Sequence, residues 1–221
     1  MAGARTIVIV GNGEVPEGAA GIIDAADIVV RFNDCRSIGA GGTKTDIVAV
    51  CNTGRPALAM LGGGRWKTSQ PVRDASEIWC VRDPEKFAAM RDDIVSRHPD
   101  LEDFCDDYTE GFASFAAATG RTFRIISANV HETLDDELKS LGAQNYIVPS
   151  SGLIVAAEVL ESLAEPDDVI MLAGFSHQGW KWHPFEAERE WVDDLILAGW
   201  LKRLPMEVKM PHVSPFMETE M

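Results

Sequence analysis

The sequence predicts an α/β protein, a single domain spanning residues 1–221 in which a mostly parallel sheet is flanked by helices. Three observations predict it. Strand-like apolar runs alternate with helix-like stretches from end to end, the pattern of βαβ units with right-handed crossovers. Those runs are continuously apolar rather than alternating, as expected for strands covered on both faces. The 221-residue chain is 46% hydrophobic and 25% charged, enough apolar material to bury one full core.

The elements follow in order. "TIVIV" (6–10) reads as the first strand, followed by a turn and a short helix around 17–25, then a second strand in "DIVVRF" (27–32). "SIGAGGTKT" is a glycine-rich loop before the strand "DIVAVC" (46–51). Segment 52–75, rich in Gly, Arg and Lys, reads as a mobile loop over the carboxyl edge of the sheet. "EIWCVR" (77–82) leads into a helix opened by Pro84, a favourable first-turn residue. "RTFRIIS" (121–127) precedes a helix beginning near His131, and "NYIVP" (145–149) reads as a strand ended by Pro149. An apolar helix (152–164), the strand "DVIMLAG" (168–174) and an amphipathic helix (184–200) complete the domain, with an irregular tail from Pro211.

Charge narrows the partners. With 20 basic and 35 acidic residues the net charge is −15, which disfavours nucleic-acid backbones and anionic membranes. The densest acidic stretches read as solvated helix faces. No run is long enough for a membrane span, and the N-terminal apolar run is too short for a signal segment, so a cytoplasmic protein is expected. Cys35, Cys51, Cys80 and Cys105 show no zinc-ligand spacing; Cys51 and Cys80 fall in strands and read as buried filler. No metal site or resident cofactor is expected.

Three stretches lie where a doubly wound sheet binds ligands, at the carboxyl ends of strands. In "IVIVGNGEVPEG", Gly11, Asn12 and Gly13 permit a sharp turn and a close phosphate approach, but Pro16 replaces the third glycine of a dinucleotide fingerprint. In "VVRFNDC", Asn33 offers donors and acceptors to a base or ribose. Arg31 either pairs with Asp24 or Asp27 or serves a ligand; read as a reader of a 2′-phosphate, it would make the chain a dinucleotide-dependent oxidoreductase. In "VPSSGL", Ser150, Ser151 and Gly152 open a helix whose N–H groups and hydroxyls suit an anion. In "HPFEAE", His183 reads as the N-cap of the last long helix, with Pro184 at N1 and Glu186 at N3. There it stays neutral and able to take a proton, or it merely caps the helix and packs on Trp180 or Trp182.

Taken together, these stretches resemble the family-29 sialyltransferases. "IVIVGNG…IDAADIVVRFND…GGTKTDI" is similar to their long motif, "VPSSGLIVAAEVL" to their short motif, and His183 with Glu188 to their last motif, in the family's order. The chain also resembles small bacterial relatives named urease-operon accessory proteins. The resemblance implies a Rossmann-like fold of the nucleotide-sugar transferase type and a metal-independent, inverting transfer of an acidic sugar, sialic acid or Kdo, from a CMP-sugar to a glycan or other hydroxyl acceptor. Asn12 and Asn33 would contact the CMP moiety, Ser150, Ser151 and Gly152 its ribose and phosphate, and His183 would be the general base. The family's cysteine pair is absent, with Thr6 at the first position, and only seven residues separate Phe175 from His183, compressing the third motif. His177 is the candidate to take over its phosphate contact. A non-catalytic nucleotide-binding accessory protein is the alternative.

Overall fold

The computed structural model describes residues 3–204, so the tail from Pro211 lies outside the described residues. One sheet contains β1 (Thr6–Val10), β2 (Ile28–Phe32), β3 (Ile47–Val50), β4 (Glu77–Cys80), β5 (Thr122–Ile125), β6 (Val169–Ala173) and β7 (Lys202–Arg203). Its order is β5-β4-β3-β2-β1-β6-β7 and every neighbouring pair is parallel. Side chains alternate across the pleat, and both faces are covered, which explains the unbroken apolar runs. Ile7, Ile9, Val30, Phe32 and Trp79 face α7 (Ala128–Ser140), α8 (Ser151–Glu158) and α9 (Phe185–Leu197). On the opposite face, Val48, Val50, Ile78 and Cys80 pack against the other helices, while Val8, Val10 and Val29 pack on α1 (Ala19–Asp24).

Segment 52–75 is not a mobile loop. It folds into α2 (Gly54–Gly62), α3 (Arg65–Thr68) and α4 (Gln70–Asp74), and Ala57, Met60, Trp66 and Val72 are buried against the second face. α3 and α4 are too short to show a period, and the glycines that open and close α2 hide its buried face of Ala57 and Met60. Acid-rich residues past α5 (Pro84–Arg97), capped by the Asp83 side chain, lead into a further helix, α6 (Thr109–Ala118), that buries Phe112 and Ala116. Residues 145–149 form no strand: Ile147 N–H donates to Trp182 O at 3.0 Å, so this stretch pairs with a loop and not with the sheet. The helix expected near His131 starts at Ala128, and the one expected over 184–200 runs over Phe185–Leu197.

The direction of winding reverses between β1 and β6, the point at which open α/β sheets bind ligands. Here the two strand-end loops touch. Gly11 N–H donates to Ala173 O at 2.8 Å and Gly13 N–H to Gly174 O at 3.0 Å. A Cβ on Gly13 would come within 2.7 Å of Gly174 O, and one on Gly11 would strike the same carbonyl. These glycines serve backbone-to-backbone approach, and their N–H groups are engaged.

Arg31 is fully buried and pairs with neither Asp24 nor Asp27. Its guanidinium donates to Lys44 O (2.9 Å), Gly41 O (2.7 Å), Thr45 Oγ1 and Ser37 Oγ (both 3.2 Å), gathering the Gly-Gly-Thr-Lys-Thr loop around itself. Asp24 instead accepts from the Thr43 and Lys44 N–H groups. Arg31 therefore cannot read a 2′-phosphate, and the oxidoreductase reading falls. Replacing Arg31 by Leu would strand several buried acceptors and should cost about 3 kcal/mol of stability, read as a lower urea midpoint at unchanged slope.

Candidate functional site

The sequence-predicted residues meet. Gly11, Asn12, Gly13, Asn33, Ser150, Ser151, Gly152, His177 and His183 all line one cavity of about 370 Å³ at the carboxyl edge of the sheet. The loops after β1, β2 and β6 supply three of its sides, and the start of α8 supplies the fourth.

Each side chain is held by a specific contact. Asn12 bridges two loops: its Nδ2 donates to Phe32 O at 3.1 Å and its Oδ1 accepts from Arg36 N–H at 2.9 Å. Asn33 sits at φ 50°, a left-handed conformation Asn tolerates, while Trp66 Nε1 donates to its carbonyl at 2.9 Å. Cys51 N–H donates to Asn33 Oδ1 at 2.8 Å, which fixes the amide so that Nδ2 is left for the cavity. Gly152 is required because a Cβ there would come within 2.6 Å of the Phe175 ring, which closes over the first turn of α8.

The two serines do different work. Ser150 is the N-cap of α8, its hydroxyl accepting from Leu153 N–H at 3.3 Å. The same hydroxyl donates to Glu188 Oε2 at 2.7 Å, and Ser150 N–H donates to Glu188 Oε1 at 2.6 Å. Ser150 is thus fully engaged in shaping the site. Ser151 follows it with no hydroxyl partner among the described residues, and the first N–H groups of α8 lack intrahelical acceptors as at any helix start. Glu188 is 1% exposed, and burial raises its carboxyl against the lowering by the two Ser150 bonds.

His183 is not the N-cap of α9. Pro184 takes that place with ψ 58°, Glu186 closes no capping box, and the histidine stands one residue outside the helix. Its Nδ1 lies 2.8 Å from Val148 O. A carbonyl only accepts, so Nδ1 carries the hydrogen and Nε2 keeps a lone pair. Burial, rather than the helix dipole, holds the ring neutral: desolvation, with a smaller push from Arg82, lowers its pKa to about 4. Trp180 meets its edge at 5.0 Å and Phe185 at 5.4 Å. His183 both packs on aromatic rings and presents a free nitrogen.

His177 is held at φ 48° with 9% of its surface exposed. Arg203 Nη2 donates to its Nε2 at 3.2 Å, and desolvation followed by the Arg203 and Arg189 charges lowers it to about 4. Sequence reasoning missed Arg36, an exposed cation on the cavity lining, and gave Glu188 no role beyond the motif. Arg36 follows Asn33 by three residues, but nothing in its local pattern marks it. All four cysteines are free and buried, and desolvation raises Cys35 to about 12, as expected of inert filler. Among the described residues no group of three or more His, Cys, Asp or Glu could hold a metal ion, and no helix is long and apolar enough to cross a membrane.

No protein-family model matches the chain. A curated relative does: the urease operon 23 kDa accessory protein of Rhizobium meliloti (strain 1021), 60% identical over 204 residues, 92% of this chain and 94% of that protein. The chain belongs to the family of that accessory protein. Among solved structures, the chain is similar to an α-2,3-sialyltransferase from Campylobacter jejuni, with TM-score 0.53 and 15% identity over 91% of this chain and 75% of that one. It is also similar to the sialyltransferase CstII from Campylobacter jejuni in complex with CMP-3FNeuAc (TM-score 0.51, 13% identity, 91% and 86%). A mammalian sialyltransferase in complex with Gal-β-1-3GalNAc-ortho-nitrophenol follows (TM-score 0.50, 16% identity, 91% and 69%). The chain therefore has the sialyltransferase fold, as the resemblance implied.

The histidines make a pH prediction. His183 and His177 titrate near 4 when folded against about 6.5 unfolded, so between those values the unfolded chain binds more protons. Their contribution is complete above about pH 6.5 and is lost as pH falls toward 4. Replacing His183 by Gln should shrink the loss of stability between pH 7 and pH 4.5 by on the order of 2–3 kcal/mol, measured by urea unfolding at both values.

Proposed function

We propose that this chain is a CMP-sugar-dependent glycosyltransferase of the sialyltransferase type, transferring an acidic sugar such as sialic acid or Kdo to an acceptor hydroxyl with inversion. One observation carries the reading: residues from three distant motifs line a single cavity in which His183 Nε2 is left with a free lone pair. The cytidine and ribose would lie against Asn12 and Asn33, whose remaining amide N–H groups can donate. The phosphate would take the Ser151 hydroxyl and the exposed N–H groups at the start of α8, where the helix dipole favours an anion. Arg36 would neutralise it from the lining. Ser150 positions this helix start through Glu188 and does not itself need to touch the ligand.

In the transfer step, His183 Nε2 takes the proton of the acceptor hydroxyl as that oxygen bonds to the anomeric carbon. The bond from the anomeric carbon to the phosphate oxygen breaks, and CMP departs with the electron pair. No step asks the protein for a metal. A second reading is supported by the name of the 60% identical relative: an accessory protein that binds a nucleotide without turning over a donor. A cytoplasmic location belongs to both readings.

Calorimetric titration with CMP, followed by turnover assays with CMP-N-acetylneuraminate and CMP-Kdo, tests them. Specific CMP binding is expected, weakened roughly 5- to 20-fold by Ser151→Ala. His183→Ala should leave CMP affinity within about threefold and lower donor turnover by ~10²–10⁴. Unchanged turnover in His183→Ala sinks the base assignment. CMP binding with no turnover of any donor favours the accessory reading.

A further inference from the structure

The first cavity adjoins a second chamber of about 390 Å³, walled by Thr53, Arg55, Arg82 and Phe104 and sharing Ser151 and His183 with it. Arg82 comes just after β4 and is locked at the backbone: its N–H donates to Asn52 Oδ1 and its carbonyl accepts from Asn52 Nδ2, both at 2.8 Å. Its guanidinium lies over Phe104 at 4.2 Å and Phe87 at 4.9 Å, and Nη1 donates to Thr53 Oγ1. Phe104 in turn stacks on Trp180 at 5.3 Å, and Trp180 meets His183, so one layered wall joins Arg82 to the histidine.

Arg82 is 7% exposed, yet no carboxylate pairs with it among the described residues; Asp103, also on the chamber wall, is taken by Arg55 at 2.6 Å. Its Nε and Nη2 have no protein acceptor among the described residues, and neither is sealed from solvent, so they open onto the chamber. Burying a cation without a counter-charge is costly, and two aromatic faces offset only part of that cost. In a chain with 35 acidic residues and a net charge of −15, a buried arginine left without an acidic partner is positioned for an anion from outside.

We propose that this second chamber binds the acceptor through an anionic group, a carboxylate or a phosphate monoester, paired with Arg82 while the acceptor hydroxyl lies at His183 Nε2. The proposal rests on the glycosyltransferase reading and names the acceptor class for it: an acidic molecule rather than a neutral glycan. Both chemistries present the planar or tetrahedral oxygens that a guanidinium fork receives.

The test titrates protein saturated with CMP against glucuronate, glucose 6-phosphate and glucose, with binding followed by ligand-observed NMR. The charged sugars should bind roughly 10- to 100-fold more tightly than glucose. Arg82→Met should abolish that advantage and Arg82→Lys should keep part of it, both with CMP affinity unchanged. Equal binding of charged and neutral sugars overturns the proposal, as does a charge advantage that survives Arg82→Met. An Arg82→Met variant that binds CMP normally, loses CMP-N-acetylneuraminate and still binds glucuronate would assign Arg82 to the donor carboxylate, again overturning it. Should Arg82→Met not fold, the comparison of charged and neutral sugars on wild type and Arg82→Lys decides. Failure to bind CMP would overturn the glycosyltransferase reading and the acceptor role with it, whereas the same titrations run without CMP decide separately whether Arg82 holds the anionic group.

Discussion

The site depends on one buried carboxylate. Glu188, on the first turn of α9, accepts both the N–H and the hydroxyl of Ser150 at the cap of α8. That pair of bonds ties together the starts of two helices that come from opposite ends of a 38-residue separation. It thereby fixes where the α8 N–H groups point and where the residues just before α9, including His183, must run. Val148 adds the second tie by accepting from His183 Nδ1, so the segments flanking both helix starts are bonded to each other. A buried carboxylate is costly unless its oxygens are satisfied. Here each oxygen receives a donor from Ser150, and the desolvation that raises its pKa is opposed by those bonds. The spacing from His183 to Glu188 thus has a mechanical reason: the histidine lies outside the helix, and the glutamate one turn inside holds the partner helix.

A second constraint acts from below. The loops after β1 and β6 meet backbone to backbone at Gly11, Gly13 and Gly174, closing the crevice that the reversal of winding would otherwise open. Phe175 then folds over Gly152 and meets Phe32 edge-on at 6.2 Å. The ligand space, lined by both loops, extends from them toward the start of α8 and His183. This distinguishes the site from a dinucleotide fold, in which glycine N–H groups at the same strand end face the pyrophosphate. In this chain those groups are already spent on Ala173 and Gly174.

What the sequence made legible follows from this physics. Strands covered on both faces are apolar throughout, and β1 to β4 and β6 are readable for that reason. β5 is readable as well, although it borders the sheet. The helices in 54–74 are not, because α3 and α4 are only four and five residues long and are held by what Trp66 and Val72 bury, while glycines open and close α2. The stretch 145–149 has strand composition but pairs with the Trp182 loop and packs with Phe87 and Phe104, and composition cannot tell a ladder from a single loop contact. Among site residues, motif spacing located those whose position is set locally, such as Ser151 at a helix start on the cavity lining. It misjudged what tertiary packing sets: His183 is neutral by desolvation and is not the cap, and the bond from the Ser150 hydroxyl to Glu188 on the same lining has no local signal. Arg36 and Arg82 carry no local signature, since what singles them out is the absence of a partner in space.

The electrostatics of the site follow from that absence. A surface with a net charge of −15 repels acidic ligands at long range, though salt screens this beyond about 10 Å. Inside the cavity the balance inverts: Arg36 and Arg82 are both without an acidic partner among the described residues, and only the paired Asp103 and the Ser150-bound Glu188 are carboxylates on the walls. Two anionic groups, one at each cation, would neutralise the chamber from both ends. Desolvation, and only secondarily Arg82, keeps His183 neutral, so its Nε2 lone pair stays free whether or not an anion sits on Arg82.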